Sequence, residues 1–173
     1  MRDVIDSGQC WRPAGSTLAY LRGDWHAERR LTDHQSGRDG WFVGEAVFQP
    51  ELSVAPPAVA GELPPSGEVE PALAYHEHGE LQFGSHRGLA TRSLIFRSGN
   101  DGTALVLFSD GRAFYQLDLR SGSWQAQHLC GSDNYVVTVR VTGADSYTEH
   151  WQARGPEKDY EMTTTLSRMG TPA

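Results

Sequence analysis

Apolar and polar residues alternate along most of the chain, and helical periodicity is nearly absent. Alternation with a period of two is typical of half-buried strands, and turns recur at roughly 8–12 residues, as in β-sandwiches and barrels. The predicted strands are Gly23–Asp33, Trp41–Gln49, Ala72–Leu81, Leu89–Arg97, Thr103–Ser109, Arg112–Leu119, Trp124–Cys130, Asn134–Thr142, Tyr147–Arg154 and Lys158–Arg168. A short helical turn is predicted at Pro13–Leu21, where a proline stands near the start.

Nearly all connections between these segments are short enough for hairpins, as at Asp110-Gly111. A meander of hairpins closes into a barrel, whereas a Greek-key sandwich needs longer crossovers. The predicted fold class is therefore all-β, a single antiparallel up-and-down β-barrel of about ten strands with a short N-terminal helical turn. The barrel domain covers residues 18–173 and follows an N-terminal tail, residues 1–17. Residues 50–71 are rich in proline and alanine, and we interpret them as a lid or a disordered loop.

Charge and cysteine content narrow the class of partner. The formal net charge is −7, and an acidic surface disfavours nucleic acid and anionic membrane as partners. No apolar run approaches the ~20 residues that span a bilayer, and residues 1–10 lack the apolar region of a signal peptide. We therefore expect a cytoplasmic protein with two reduced cysteines, Cys10 and Cys130, of which Cys130 is expected to be buried. A homodimer is an open alternative.

Gly23-Asp24-Trp25 opens the first predicted strand and resembles the Gly-x-Trp opening of the lipocalin and fatty-acid-binding superfamily, the calycins. In such barrels the tryptophan plugs one end and a basic residue near the last strand stacks on it. The resemblance therefore implies that Arg168, or alternatively Arg154, stacks on Trp25. Further motifs are similar to a family of lipocalin-like barrels that is catalogued only as a domain of unknown function. They are Gly44-x-Ala46-x-Phe48, Tyr75-His76-Glu77-His78-Gly79, Asp110-Gly111-Arg112, His128-x-Cys130-x-x-Asp133-x-Tyr135 and Gly155-Pro156-x-Lys158-Asp159-Tyr160.

His128, Cys130, Asp133 and Tyr135 form the first candidate site. Side chains two residues apart share a strand face, and a hairpin can bring the two pairs opposite each other. His128, Asp133 and Tyr135 could then act as a general acid–base set. The alternative is a hydrogen-bonded core histidine beside a turn aspartate. A zinc site is disfavoured because the spacing of structural zinc ligands is missing, and no metal is predicted.

His76-Glu77-His78 forms the second candidate site. Two histidines on one strand face could chelate a metal with a third ligand, but we favour exposed histidines with Tyr75 and Glu77 turned inward. A carboxylate inside a barrel needs a partner, and Arg92 on the next predicted strand is a natural one. Lys158 is the only lysine, which allows a Schiff base, although a turn lysine paired with its acidic neighbours is favoured.

Polar and aromatic side chains on several strands could line an interior cavity for a ligand with an apolar body and an anionic or carbonyl group. The predicted ligand-binding residues are Glu77, Arg92, Arg112, Gln116, Cys130, Trp151 and Tyr160. Binding of a small hydrophobic or aromatic molecule is the leading hypothesis, with no cofactor. Cofactor-free cyclisation, isomerisation or dehydration of a biosynthetic intermediate is the first alternative. A haem barrel with His128 or His150 as axial ligand is the second.

Overall fold

The computed structural model describes residues 11–51 and 71–170, which form one α-helix, one short 3-10 helix (Asn100–Gly102) and ten strands. Helix α1 spans Thr17–Leu21, and Ser16 caps it by accepting a hydrogen bond from the amide of Ala19 at 3.2 Å. The strands are β1 (Gly23–Asp33), β2 (Arg38–Pro50), β3 (Ala72–Phe83), β4 (His86–Ser98), β5 (Ala104–Phe108), β6 (Ala113–Leu117), β7 (Ser123–Cys130), β8 (Asp133–Gly143), β9 (Ser146–Gly155) and β10 (Lys158–Arg168). Residues 1–10, 52–70 and 171–173, and with them Cys10 and most of the 50–71 loop, lie outside the described residues.

All ten strands belong to one antiparallel sheet in the order β6-β5-β4-β3-β2-β1-β10-β9-β8-β7. Every ladder joins strands that are consecutive in the chain, except the ladder between β1 and β10. β6 and β7 approach each other without a ladder, and the indole of Trp124 bridges them by donating to the carbonyl oxygen of Gln116 at 2.6 Å. The predicted all-β barrel of ten strands is confirmed as a nearly closed barrel.

Helix α1 and a layer of aromatic side chains close one end of this barrel. Trp25 is fully buried, donates its indole N–H to the carbonyl oxygen of Leu21 at 2.7 Å and lies 5.0 Å from the ring of Tyr147. The guanidinium of Arg168 lies 4.2 Å from the centre of the Trp25 ring, and it donates to the carbonyl oxygens of Tyr20 and Arg22 at 2.6 and 2.8 Å. The predicted stacking of Arg168 on Trp25 is therefore confirmed.

Two glycines allow β2 and β3 to approach closely at the height of the interior polar residues. Gly44 and Gly79 are cross-strand partners, and the ring of Phe42 covers both. A Cβ atom on Gly44 would lie against the carbonyl oxygen of His78 and 2.7 Å from the Phe42 ring. Glycines at these two positions therefore make room for an inward aromatic ring.

The opposite end of the barrel is open, and its wall has uneven height. Most strands have 10–13 residues, but β5 and β6 have five each. β5 pairs with β4 only along Leu94–Ser98, so the mouth-side half of β4 rises above the β5–β6 hairpin. We call this low part of the wall the notch. The two ends of the 50–71 loop lie at the end of the barrel that α1 closes, where Pro50 and Ala72 line a depression together with α1.

Candidate functional site

Glu77 lies at the centre of a polar network inside the barrel. Its side chain is 3% exposed, and it projects inward from β3 between Tyr75 and Gly79. Arg29 of β1 donates to both carboxylate oxygens at 3.0 and 2.6 Å, and the hydroxyl of Tyr75 donates to Oε2 at 2.7 Å. Arg92, the cross-strand partner of Glu77, donates to the same oxygen at 3.3 Å. The predicted pairing of Glu77 with Arg92 is therefore present, and Arg29 adds a bidentate contact.

The charges around Glu77 decide its ionisation. Burial works against the ionised form, but Arg92, Arg29 and the hydroxyl of Tyr75 outweigh it and hold the pKa of Glu77 below its usual value. Burial also raises the pKa of Tyr75 well above its usual range. The network therefore consists of a carboxylate, a protonated phenol and two guanidinium groups.

The two arginines differ in how many of their donors are occupied. Arg29 donates from Nε to Thr164 at 2.8 Å and from both terminal nitrogens to Glu77, and it lies over the ring of Phe42. Arg92 uses only Nη2, toward Glu77 and the Tyr75 hydroxyl, while its Nε is buried without a partner. Its side chain keeps 31% of its surface accessible beside the notch. Arg92 therefore has donors to offer to another molecule.

Aromatic side chains also line the interior. The rings of Phe114 and Trp151 are stacked at 5.2 Å, and Phe108 stacks on Phe114 at 4.4 Å. His128 meets the edge of Phe114 at 5.0 Å. At the mouth, Leu31, Asp33, Phe83, Tyr160 and Met162 line a depression of about 310 Å³. A second depression, about 530 Å³, opens largely onto the outer faces of β1, β2 and β10 and does not reach Glu77.

The first candidate site is assembled differently from the expectation. The hairpin pairs His128 with Tyr135 and Cys130 with Asp133, as the spacing predicts. The carboxylate of Asp133, however, binds Nζ of Lys158 at 2.7 Å, and Lys158 donates to the Tyr135 hydroxyl at 2.8 Å. The hydrogen bond to Asp133, followed by that to Tyr135, raises the pKa of Lys158. Its amine is therefore protonated and cannot act as a nucleophile. His128 contacts aromatic rings and not Asp133. The expectation that Lys158 pairs with its acidic chain neighbours was wrong.

The residues predicted to line the interior are divided between the inner and the outer face of the barrel wall. The side chains that face inward as predicted are those of Glu77, Arg92, Trp151 and Tyr160. Burial is the largest of the causes that raise the pKa of Tyr160 to about 12. The inward position was wrong for Arg112, Gln116 and Cys130, which are exposed. Arg112 lies in the β5–β6 turn. Tyr115 and Leu117 are buried, so the alternation along β6 turns Gln116 outward. Cys130 ends β7 beside the β7–β8 turn.

The histidines proposed for metal or haem are also accounted for. His76 and His78 are exposed on the outer face, as expected from the favoured interpretation. His150 is on the outer face as well, where its Nδ1 is 3.0 Å from the hydroxyl of Thr163, so it cannot reach a ligand in the interior. Within residues 11–51 and 71–170, no three His, Cys, Asp or Glu side chains form a cluster that could hold a metal ion. The same residues contain no helix that is long and apolar enough to cross a membrane.

Sequence reasoning missed Arg29, Thr164 and Glu149 as interior polar residues. Arg29 is in phase with Trp25, and Glu149 is in phase with Trp151, so the alternation that marked the aromatic residues as inward also marked these two. They were not predicted to face inward because a charged side chain is rarely buried unless it has a partner on another strand. No sequence pattern gives the partner.

A family model matches residues 21–168, the whole barrel from the end of α1 to the end of β10. The chain belongs to DUF6314, a family of unknown function. No curated protein sequence matches it.

Several solved structures are similar to this chain, among them a phycobiliprotein lyase and a protein of unknown function. The S-type phycobiliprotein lyase CPES from Guillardia theta is similar over 90% of this chain and 92% of its own, with 8% identity and a TM-score of 0.64. A protein of unknown function from the DUF3598 family of Nostoc punctiforme is similar over 91% of this chain, with 10% identity and a TM-score of 0.52. The chain spans about half (51%) of the length of that second protein. At such low sequence identity, the structural similarity establishes the barrel fold alone.

Proposed function

We propose that this protein binds a small organic molecule with an aromatic or aliphatic body and an acidic or carbonyl group in the interior of the barrel, and that Arg92 holds that group. The observation that carries the proposal is the unequal use of the two interior guanidinium groups. Each nitrogen of Arg29 donates to Glu77 or Thr164, whereas Arg92 has a buried Nε without a partner and 31% of its side chain accessible. A buried donor without a partner costs free energy that a bound acceptor would recover.

The surroundings of Arg92 suit an apolar body. The ring of Tyr75 lies 5.3 Å from its guanidinium carbon, and Phe108, Phe114 and Trp151 form a stack farther along the wall. Small-molecule sites generally combine such an apolar lining with a few fixed polar groups. Glu77 and Tyr75 fix the orientation of Arg92 through Nη2, so its remaining donors are positioned in advance. The notch gives access to this side of the interior.

Acid–base catalysis by His128 and Asp133 is not part of the proposal. Their separation by Lys158 removes the orienting contact that a histidine general base requires. Haem ligation retains His128 as its only inward candidate within the described residues, and no observation favours it.

Fluorescence titration with 6-methoxy-2-naphthoic acid and its uncharged counterpart 2-methoxynaphthalene tests the proposal. We expect the wild type to bind the acid and Arg92→Met to bind it about tenfold or more weakly, because a hydrogen bond to a charged group is worth about 1.5–3 kcal/mol. Affinity for 2-methoxynaphthalene should change less than twofold. The matched control is Arg97→Met, which removes the same charge from the exposed face of β4.

Two results would refute the proposal. One is equal affinity of the wild type and Arg92→Met for the acid. The other is no binding of the acid by the wild type at millimolar concentration. Circular dichroism and thermal unfolding of each variant separate a lost ligand contact from a lost fold.

A further inference from the structure

Glu149 is a second interior carboxyl group, and it lies on the wall opposite Arg92. It projects inward from β9 between Tyr147 and Trp151. In the ring of ten strands β9 and β4 are five strands apart, so these side chains extend toward the barrel centre from facing walls. No nitrogen of an arginine or lysine lies within ion-pair distance of Glu149 in the described part of the chain; the interior ion pairs join Glu77 to Arg29 and Arg92. Arg92 and Glu149 therefore face each other without a direct ion pair, and we call the region between them the gap.

The polar groups around this gap are poorly satisfied. Glu149 accepts one long hydrogen bond, from the indole of Trp151 at 3.4 Å. The hydroxyl of Tyr147 is buried without a partner, as is Nε of Arg92. Buried polar groups without partners are rare in folded proteins, so groups such as these are completed by ordered water or by a bound molecule.

The charge of Glu149 reaches the groups that surround the gap. Burial raises the pKa of Tyr115 and of Tyr147 well above the usual value, and the charge of Glu149 is the next largest cause for both. Burial lowers the pKa of Arg92, but Tyr75, Glu77 and Glu149 outweigh it and raise that pKa. Facing walls of the interior therefore offer a cation with free donors and a carboxyl group with free acceptor capacity.

We infer that the ligand bridges these two groups, with its acidic or carbonyl end on Arg92 and an N–H or O–H group that donates to Glu149. This inference rests on the proposed function and narrows the ligand class to aromatic acids or carbonyl compounds that also carry a hydrogen-bond donor. An acid without a donor would bind Arg92 but leave Glu149 unsatisfied. A donor without an acid would lose the contact with Arg92.

The test compares 6-hydroxy-2-naphthoic acid, which can donate a hydrogen bond, with 6-methoxy-2-naphthoic acid, in which a methyl group replaces the donor hydrogen. The readout is the ratio of their dissociation constants, methoxy to hydroxy, from fluorescence titration of the full chain. Any substitution of Glu149 also removes a negative charge near Arg92 and strengthens the binding of both acids, but this effect cancels in the ratio. We expect a ratio of about ten in the wild type and about one in Glu149→Leu, since a hydrogen bond to a charged group contributes about tenfold or more.

Glu149→Gln is the near-isosteric variant that guards against misfolding, and its ratio should fall between those of the wild type and Glu149→Leu. Glu28→Gln is the control on the outer face of β1, where the carboxyl group is 67% exposed, and its ratio should equal that of the wild type. A ratio near one in the wild type, with binding that still depends on Arg92, overturns the bridging inference and leaves the proposed function standing. A high ratio that Glu149→Leu and Glu149→Gln both retain also overturns it. If neither acid binds, the proposed function fails as well.

Discussion

Replacement of Glu77 by glutamine removes one charge from the most enclosed polar network of the barrel. The carboxylate is 3% exposed and accepts four hydrogen bonds, two from Arg29, one from Tyr75 and one from Arg92. Glutamine has nearly the same shape, but its amide nitrogen would face donor groups and leave two guanidinium groups without a counter-charge. Removing one partner of a buried ion pair typically costs about 3–5 kcal/mol. Because Arg92 is partly accessible, we expect the lower half of this range.

The assay is urea unfolding followed by tryptophan fluorescence and far-UV circular dichroism at pH 7. A loss of about 3–4 kcal/mol in the free energy of unfolding corresponds to a decrease in Tm of roughly 6–16 °C for a domain of this size. Glu45→Gln is the matched control, because Glu45 is 51% exposed and lies 3.8 Å from His78, so its loss should cost less than about 0.5 kcal/mol. A loss below about 1 kcal/mol for Glu77→Gln, with an unchanged urea dependence, would refute the reasoning that this network stabilises the barrel.

Three further predictions concern pH, the closed end and the glycine pair. The pKa of Glu77 is below its usual value of 4.5, so its ionised form stabilises the fold fully above that pH, and this contribution is lost as pH falls through the lowered pKa. The difference in unfolding free energy between the wild type and Glu77→Gln should therefore shrink below about pH 4.5. A difference that is unchanged at pH 3 would contradict this. Arg168→Met removes the cation over Trp25 and its hydrogen bonds, and urea unfolding should show a loss of about 2–3 kcal/mol, against less than about 0.5 for the exposed Arg154→Met. Gly44→Ala places a methyl group against a carbonyl oxygen of β3, and thermal unfolding should report a loss of about 1–3 kcal/mol; a Tm equal to that of the wild type would show that the two strands can separate.

Much of the barrel could be predicted from the sequence because its information is local. The bounds of β1 and β10 agree with the predicted strands, and the resemblance led to the stack of Arg168 on Trp25. Alternation and turn residues act over a few positions, so they can be read without knowing which strands pair. The prediction was wrong where the phase of the alternation was misread. Tyr115 and Leu117 of β6 are buried, so Gln116 between them faces outward.

The site was harder to predict because its contacts join distant parts of the chain. Glu77 and Arg92 were paired correctly, since a hairpin places them opposite each other. Arg29 is 48 positions from Glu77 and reaches it only across the intervening strand, so no short-range pattern indicated the contact. Asp133 was assigned to His128 across its own hairpin, but Lys158 from a more distant strand binds it. Which charged side chains meet across the barrel depends on the arrangement of all ten strands. Local sequence patterns do not give that arrangement.

The ladder between β1 and β10 has a consequence for how the protein folds. All other ladders join consecutive strands, whereas this one aligns Trp25 with Arg168 near opposite ends of the described chain. Closing so long a loop is entropically costly and slows folding, so we expect formation of this ladder to limit the folding rate. During synthesis on the ribosome, the edge of β1 stays unpaired until the eleven residues of β10 have emerged. An exposed strand edge is prone to aggregate, so the nascent barrel is most vulnerable just before β10 has been synthesised.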